Sequence, residues 1–296
     1  MAESDAPRSS GLVDRVIHLE VPATWSDAKR RELVSSEASS GEWEGDVSKI
    51  APQFFTEVYK RELGRQAAEK AGCTHFMSMD ADEFYLAEQL VAAKRHILEH
   101  RLAATACRMR LYFKLPTCEL QPLDDVNAVP FIVELRPGRH FRLAVPSPLL
   151  LDPTRKCSDT GPIVLLPREL VEMHHMTFVR KDVRSKLTNV SNRANYRADV
   201  DAFVAQFHRW LPGDPVIHPH PAIGRLFTHT VDVPNRFNVD LFDLCAACSS
   251  PLDLQRCAGC RWTRYCSEEH QREHWPLHRH QCFAYRQIEL DQQTEA

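Results

Sequence analysis

Residues 245–282 read CAACSSPLDLQRCAGCRWTRYCSEEHQREHWPLHRHQC, and their spacing decides what this end of the chain becomes. Written as ligands, the run is Cys245-x2-Cys248-x8-Cys257-x2-Cys260-x5-Cys266-x3-His270-x7-His278-x3-Cys282. Two cysteines separated by two residues sit on a tight knuckle and can share one zinc ion without strain. Two such pairs, with Cys266-x3-His270 and His278-x3-Cys282, supply eight ligands, enough for two closed tetrahedral sites with no open position. Closed sites are structural, so no zinc chemistry is expected. A module this small buries little apolar surface, and metal binding supplies much of its folding energy, on the order of 10 kcal/mol per site. Disulfides are the other reading of clustered cysteines. The start Met1-Ala2-Glu3-Ser4-Asp5 lacks the basic-then-apolar order of an export signal, so metal thiolates in a reducing compartment are favoured.

Over residues 245–282 the chain resembles the MYND zinc-finger family. The likeness includes the eight ligands, Tyr265-Cys266, His270-Gln271, and Trp275-Pro276-Leu277-His278 ahead of the last cysteine. The resemblance implies a cross-brace. Cys245, Cys248, Cys266 and His270 would hold one zinc, and Cys257, Cys260, His278 and Cys282 the other. It also implies a protein partner, met through a short proline-containing peptide. His274 and His280 fall outside the ligand spacing and are expected to face solvent. Trp275 is expected to pack between the sites. Pro276 is expected to start a second short helix carrying His278 and Cys282 on one face.

Upstream, the apolar run His75-Phe76-Met77-Ser78-Met79 reads as a short buried strand, followed at once by Asp80-Ala81-Asp82-Glu83. Carboxylates at a strand's end are hard oxygen ligands suited to Mg²⁺ or Mn²⁺ on a diphosphate, and that edge is where open α/β sheets bind ligands. A bare D-x-D is also a common solvated turn. The longer stretch resembles a family-2-like glycosyltransferase of the GT-A type. The likeness continues in Val129-Pro130-Phe131-Ile132, Asp152-Pro153-Thr154-Arg155, Glu172-Met173-His174-His175-Met176 and Val179-Arg180-Lys181-Asp182, and ends near Val233-Pro234-Asn235-Arg236-Phe237. It implies that Asp80 and Asp82 hold a metal on a nucleotide-sugar diphosphate. His174 or His175 would supply a later ligand or face the leaving phosphate. Glu172 is the candidate base, and Arg180 and Lys181 would neutralise phosphate. Against this stand the simpler roles of hydrogen-bonded histidines and a solvated basic face.

Elsewhere, Val13–Val21 alternates like a strand, and residues 24–49 read as loop or short helix. Pro52 opens a helix ending at Gly72, and helices are expected near 86–101, 182–192 and 200–210. Residues 104–114 and 131–135 read as strands. Alternating strand and helix in the first half predict an α/β, Rossmann-like layer with a largely parallel sheet. The glycosyltransferases it resembles open with a strand, helix and strand that form the nucleobase pocket; here these are reduced to Val13–Val21, so the resemblance implies an N-terminally incomplete domain or lost donor binding. The expected organisation is a disordered segment 1–10, a glycosyltransferase-like domain 11–240, the finger 245–282 and a tail 283–296.

Net charge is -3 over 296 residues, so no basic excess exists to neutralise nucleic-acid phosphates. No apolar run reaches the roughly 18 residues of a membrane span. The chain reads as soluble, cytoplasmic or nuclear. The remaining cysteines, Cys73, Cys107, Cys118 and Cys157, read as small buried apolar residues. Two functions follow: a metal-dependent sugar transferase whose finger chooses its partner, or a scaffold with a degenerate enzyme-like body. Zinc thiolates belong to reducing compartments, which leans toward the scaffold.

Overall fold

The computed structural model describes residues 24–35, 46–123, 125, 127–144, 152–180, 183–189, 200–216, 227–237, 239, 245–248, 253–261 and 263–294. The Val13–Val21 strand expectation lies outside them. In chain order the elements begin α1 (Asp27–Glu32), β1 (Val34–Ser35), α2 (Pro52–Lys70), β2 (His75–Met77), β3 (Glu83–Phe84), α3 (Ala87–His100) and β4 (Ala104–Phe113). Next come β5 (Cys118–Gln121), β6 (Val129–Glu134), β7 (Phe141–Ala144), β8 (Lys156–Cys157), β9 (Val164–Leu165) and β10 (Glu172–Phe178). The chain continues with α4 (Val183–Asn189), α5 (Val200–Arg209), β11 (His229–Asp232), β12 (Gln255–Arg256), β13 (Arg264–Tyr265) and α6 (Glu268–Thr294). The chain forms two compact units, each discontinuous in sequence: Met1–Ser78, Lys94–Cys107 and Asn127–Leu166, and then Met79–Ala93, Arg108–Val126 and Pro167–Ala296.

In the first unit, Pro52 sits in the first turn of α2, and Gly72, at φ +78°, follows its end. The helix buries Phe55 and Val58 against Phe141, Leu143 and Val133. Gly64 lets it approach β2 closely, since a Cβ there would lie 3.3 Å from the Phe76 ring. β2 pairs antiparallel with β6, which pairs antiparallel with the start of β4. Arg61, buried on α2, meets Asp152 at 3.0 Å and donates to Thr154 Oγ1 at 3.0 Å. The Asp152-Pro153-Thr154-Arg155 segment is thereby part of an internal ion-pair network.

The second unit carries the strand order β11-β5-β4-β10-β3. β4 and β10 run parallel, while β3, β5 and β11 pair antiparallel with their neighbours. Along that path, among the described residues, one ladder is parallel and three are antiparallel, so this sheet is mixed and not largely parallel. The reason is local. Residues 114–117 join β4 to β5 too tightly for a crossover, and a parallel return needs a dozen residues or more. Lys114 takes φ +62° at that turn, and its ammonium donates to the carbonyls of His208 (3.0 Å) and Trp210 (2.6 Å) at the end of α5. Phe113 packs edge-on against Phe207 and Trp210. The same buried cluster takes in Cys245, Cys257, Cys260, Tyr265 and Cys282.

Candidate metal centres and the acidic motif

Three local structures bring the eight ligands together. Cys245–Cys248 forms a turn tied to the hairpin by Ala246 N–H donating to Arg264 O at 2.9 Å. β12 and β13 pair antiparallel, Gln255 opposite Tyr265, and the loop between them carries Cys257 and Cys260. That loop closes through Cys257 N–H to Thr263 O (2.7 Å) and Arg261 N–H to Cys257 O (2.8 Å). Cys266 directly follows β13 at the end of the hairpin, and α6 then supplies His270, His278 and Cys282. Pro276 lies inside this helix instead of starting a second one, and α6 runs to Thr294 through the expected tail. An internal proline costs a helix about 3 kcal/mol. Ligands on both sides of Pro276 tie the helix to two metal sites and offset that cost.

The ligand atoms fall into two groups, each within 4.8 Å: Cys245, Cys248, Cys266 and His270, and Cys257, Cys260, His278 and Cys282. A tetrahedral zinc with bonds of about 2.3 Å to sulfur sets neighbouring sulfurs about 3.8 Å apart and sulfur to nitrogen about 3.5 Å. Cys257 and Cys282 sulfurs lie 3.8 Å apart, Cys248 and Cys266 3.5 Å, and Cys260 Sγ is 3.5 Å from His278 Nε2. The donor sets and spacings fit two zinc ions. Burial opposes ionisation of Cys245, but N–H groups of Cys248, Cys266 and Ala247 outweigh it and bring the thiol down to about 6. Burial and the neighbouring thiols push Cys282 up to about 12, so a cation is what lets all the sulfurs of a cluster ionise together.

The two neighbours expected to face solvent behave differently. His274 bonds Tyr265 Oη through Nδ1 at 3.0 Å and stacks on His278 at 6.0 Å. Its ring also meets His208 of α5 at 6.3 Å, so it is a packing residue. Its place one helical turn before His278 is the sequence signal that ligand spacing alone overlooks. His280 is exposed. Trp275 touches the His278 ring edge-on at 5.9 Å yet remains 43% exposed, so it flanks one site and does not fill the space between two.

The acidic motif lies on the other side of β10. Asp82 Oδ2 accepts from Arg180 Nη2 at 2.9 Å and Lys186 Nζ at 3.2 Å, and Oδ1 lies 3.7 Å from His175 Nε2. Burial would raise the Asp82 pKa, but His175 and Lys186 hold it well below the usual carboxylate range. Asp82, His175 and Arg180 therefore converge, while Lys181 lies outside the described residues. Asp80 is half-buried, and its backbone N–H donates to Glu83 at 3.1 Å. Glu172 and His174 line the opposite face of β10. Glu172, buried, is bonded by Arg110 Nε and by Arg168 Nη1 (2.7 Å), while Arg110 also meets Glu119 at 2.9 Å. With both oxygens taken by guanidinium groups, Glu172 is built as an ion-pair partner and not as an open base. His174 is fully buried, bonds Tyr112 Oη through Nδ1 at 2.7 Å, and among the described residues finds no partner for Nε2. Burial brings it down to about 4. Arg110 and Lys186 were missed from sequence. The charged alternation Arg108-Met109-Arg110 inside an apolar strand could have flagged the first, but Lys186 lies 104 residues from Asp82 and gives no local sign.

Residues 245–282 match the family model described as the MYND finger. No curated protein and no solved structure matches the chain. The chain thus carries a zinc-binding MYND finger, and nothing among the comparisons supports a glycosyltransferase or a Mn²⁺ or Mg²⁺ site. No described helix is long and apolar enough to cross a membrane.

Proposed function

We propose that this protein is a non-catalytic interaction protein that uses its zinc-loaded finger to hold a short proline-containing peptide of a partner. The observation that carries the reading is the exposed apolar set on α6. Trp275, Leu277 and Phe283 stand in solvent on a helix whose neighbouring residues are fixed by metal ligands. Scattered exposed apolar residues need no explanation, but an aromatic held rigid beside a metal site loses little entropy on binding. Proline-containing peptides suit such a surface because their extended backbone is already ordered. The test is a peptide array of proline-containing sequences probed with the full chain, followed by titration of the best binder. Trp275→Ala is expected to weaken binding at least tenfold while both zincs and the melting temperature are kept. Unchanged binding by Trp275→Ala would refute the surface.

A second reading, a sugar-transferring body acting on a nucleotide sugar, is favoured by one observation, the convergence of Asp82, His175 and Arg180. It is opposed by the two cations already on Asp82, which leave that carboxylate little charge to offer a metal.

A further inference from the structure

The two zinc sites are not built alike. In the inner cluster Cys257, Cys260, His278 and Cys282 are all buried; in the outer one Cys248 is exposed, and Cys266 and His270 are half-buried. The groups behind the ligands differ as well. His278 presents Nε2 to the sulfurs, and its Nδ1 lies 3.4 Å from Oγ1 of buried Thr263. That hydroxyl also accepts from Cys260 Sγ at 3.9 Å, so it stands against two ligands of the inner cluster and can accept the imidazole N–H. Gln271 Nε2 donates toward Cys257 Sγ at 3.6 Å. Gly259 closes the inner knuckle, since a Cβ there would stand 2.7 Å from Cys282 Sγ and 3.7 Å from Cys257 Sγ. His270 presents Nδ1 instead, 2.9 Å from Cys266 Sγ and 3.9 Å from Cys245 Sγ. Among the described residues nothing bonds its Nε2.

We propose that the inner zinc is locked in place by Thr263, Gln271 and Gly259 as positioning residues, while the outer zinc is exchangeable, with His270 as the ligand that leaves. Zinc transfer needs an incoming ligand to reach the metal or a resident one to swing away. Burial blocks the first at the inner site. A hydrogen bond on the far nitrogen of a ligating imidazole blocks the second, because rotation must break it; such partners change metal affinity about 10- to 100-fold. At the outer site only Cys245 is buried, no described residue holds the far nitrogen of His270, and Cys248 gives an incoming thiolate or chelator a point of approach.

The experiment follows zinc release from the full, zinc-loaded chain into excess chromogenic chelator, with circular dichroism recorded alongside. Two phases of one equivalent each are expected, the first at least tenfold faster and leaving the helical signal of the body in place. His270→Ala should carry one zinc and show only the slow phase. Thr263→Val should speed the slow phase about tenfold and leave the fast phase alone, and Thr263→Ser should restore it. A single phase releasing both ions from the unmodified chain overturns the proposal without any variant. So does a Thr263→Val effect confined to the fast phase, or a Thr263→Ser variant as fast as Thr263→Val.

Discussion

The finger and the acidic motif both gather ionisable groups in the second unit, but they balance their charge in opposite ways. The finger brings together six thiols and two imidazoles with no cationic side chain among the ligands, so its clusters are complete only with an ion from outside. Asp82 already has Arg180 and Lys186 on one oxygen and His175 near the other, so its balance comes from the chain itself. Residues that look equally suited to metal on paper therefore separate once their neighbours are known. What distinguishes them is the sign of the nearest side chain, not the type of ligand.

The largest effect is expected at Cys257. Cys257→Ala should reduce zinc from two per chain to one, measured by elemental analysis, and remove a term on the order of 10 kcal/mol. Because Cys257 shares a buried cluster with Phe113, Phe203 and Phe207, the loss should reach the unfolding of α5 as well as the finger. A variant that still holds two zincs would break the contrast at its stronger end.

His174 offers a third way of handling charge, by remaining neutral. An unfolded chain protonates this histidine as pH falls through about 6.5, whereas the folded chain resists until about 4. The folded state thus binds fewer protons across that window, and stability present above it is lost on acidification, by up to about 3 kcal/mol. Urea midpoints at pH 7 and 4.5 should converge less steeply in His174→Gln than in the unmodified chain, a difference that cancels zinc loss common to both. Identical slopes would mean that water or a neighbour compensates His174.

The smallest effect is expected at Asp82. Asp82→Asn should destabilise by about 2 kcal/mol, the scale of hydrogen bonds to charged groups, by leaving Arg180 and Lys186 facing each other. Mn²⁺ should not raise the melting temperature of the unmodified chain. If Mn²⁺ raises it, and Asp82→Asn abolishes that rise, the carboxylate is available to a metal and the transferase reading regains its footing.

Legibility from sequence followed the range of the interaction. α2 was readable at both ends because Pro52 and Gly72 act through their own backbone. The finger was readable because ligand spacing encodes knuckle geometry. The pairing of β4 with β5 was not, since the turn at 114–117 hides in a proline-rich stretch without a strong turn dipeptide. Pro276 misled because a proline rule made for isolated helices ignores two metal sites pinning the helix on either side. The surroundings of Asp82 were not legible for the plainest reason: Arg180 and Lys186 approach it only after the chain has folded back across β10.

The cysteines of the finger lie in the same buried cluster as the aromatic residues of α5 and β4, and that has a consequence for how the protein is made. A ribosome releases Phe113 and Phe207 well before Cys257 and Cys282, so the hydrophobic interior of this unit waits, half-assembled, for the last stretch of chain and its metal. Zinc supply in the cell would then set how much of the newly made protein survives quality control, and starvation would remove the rest of this unit along with the finger.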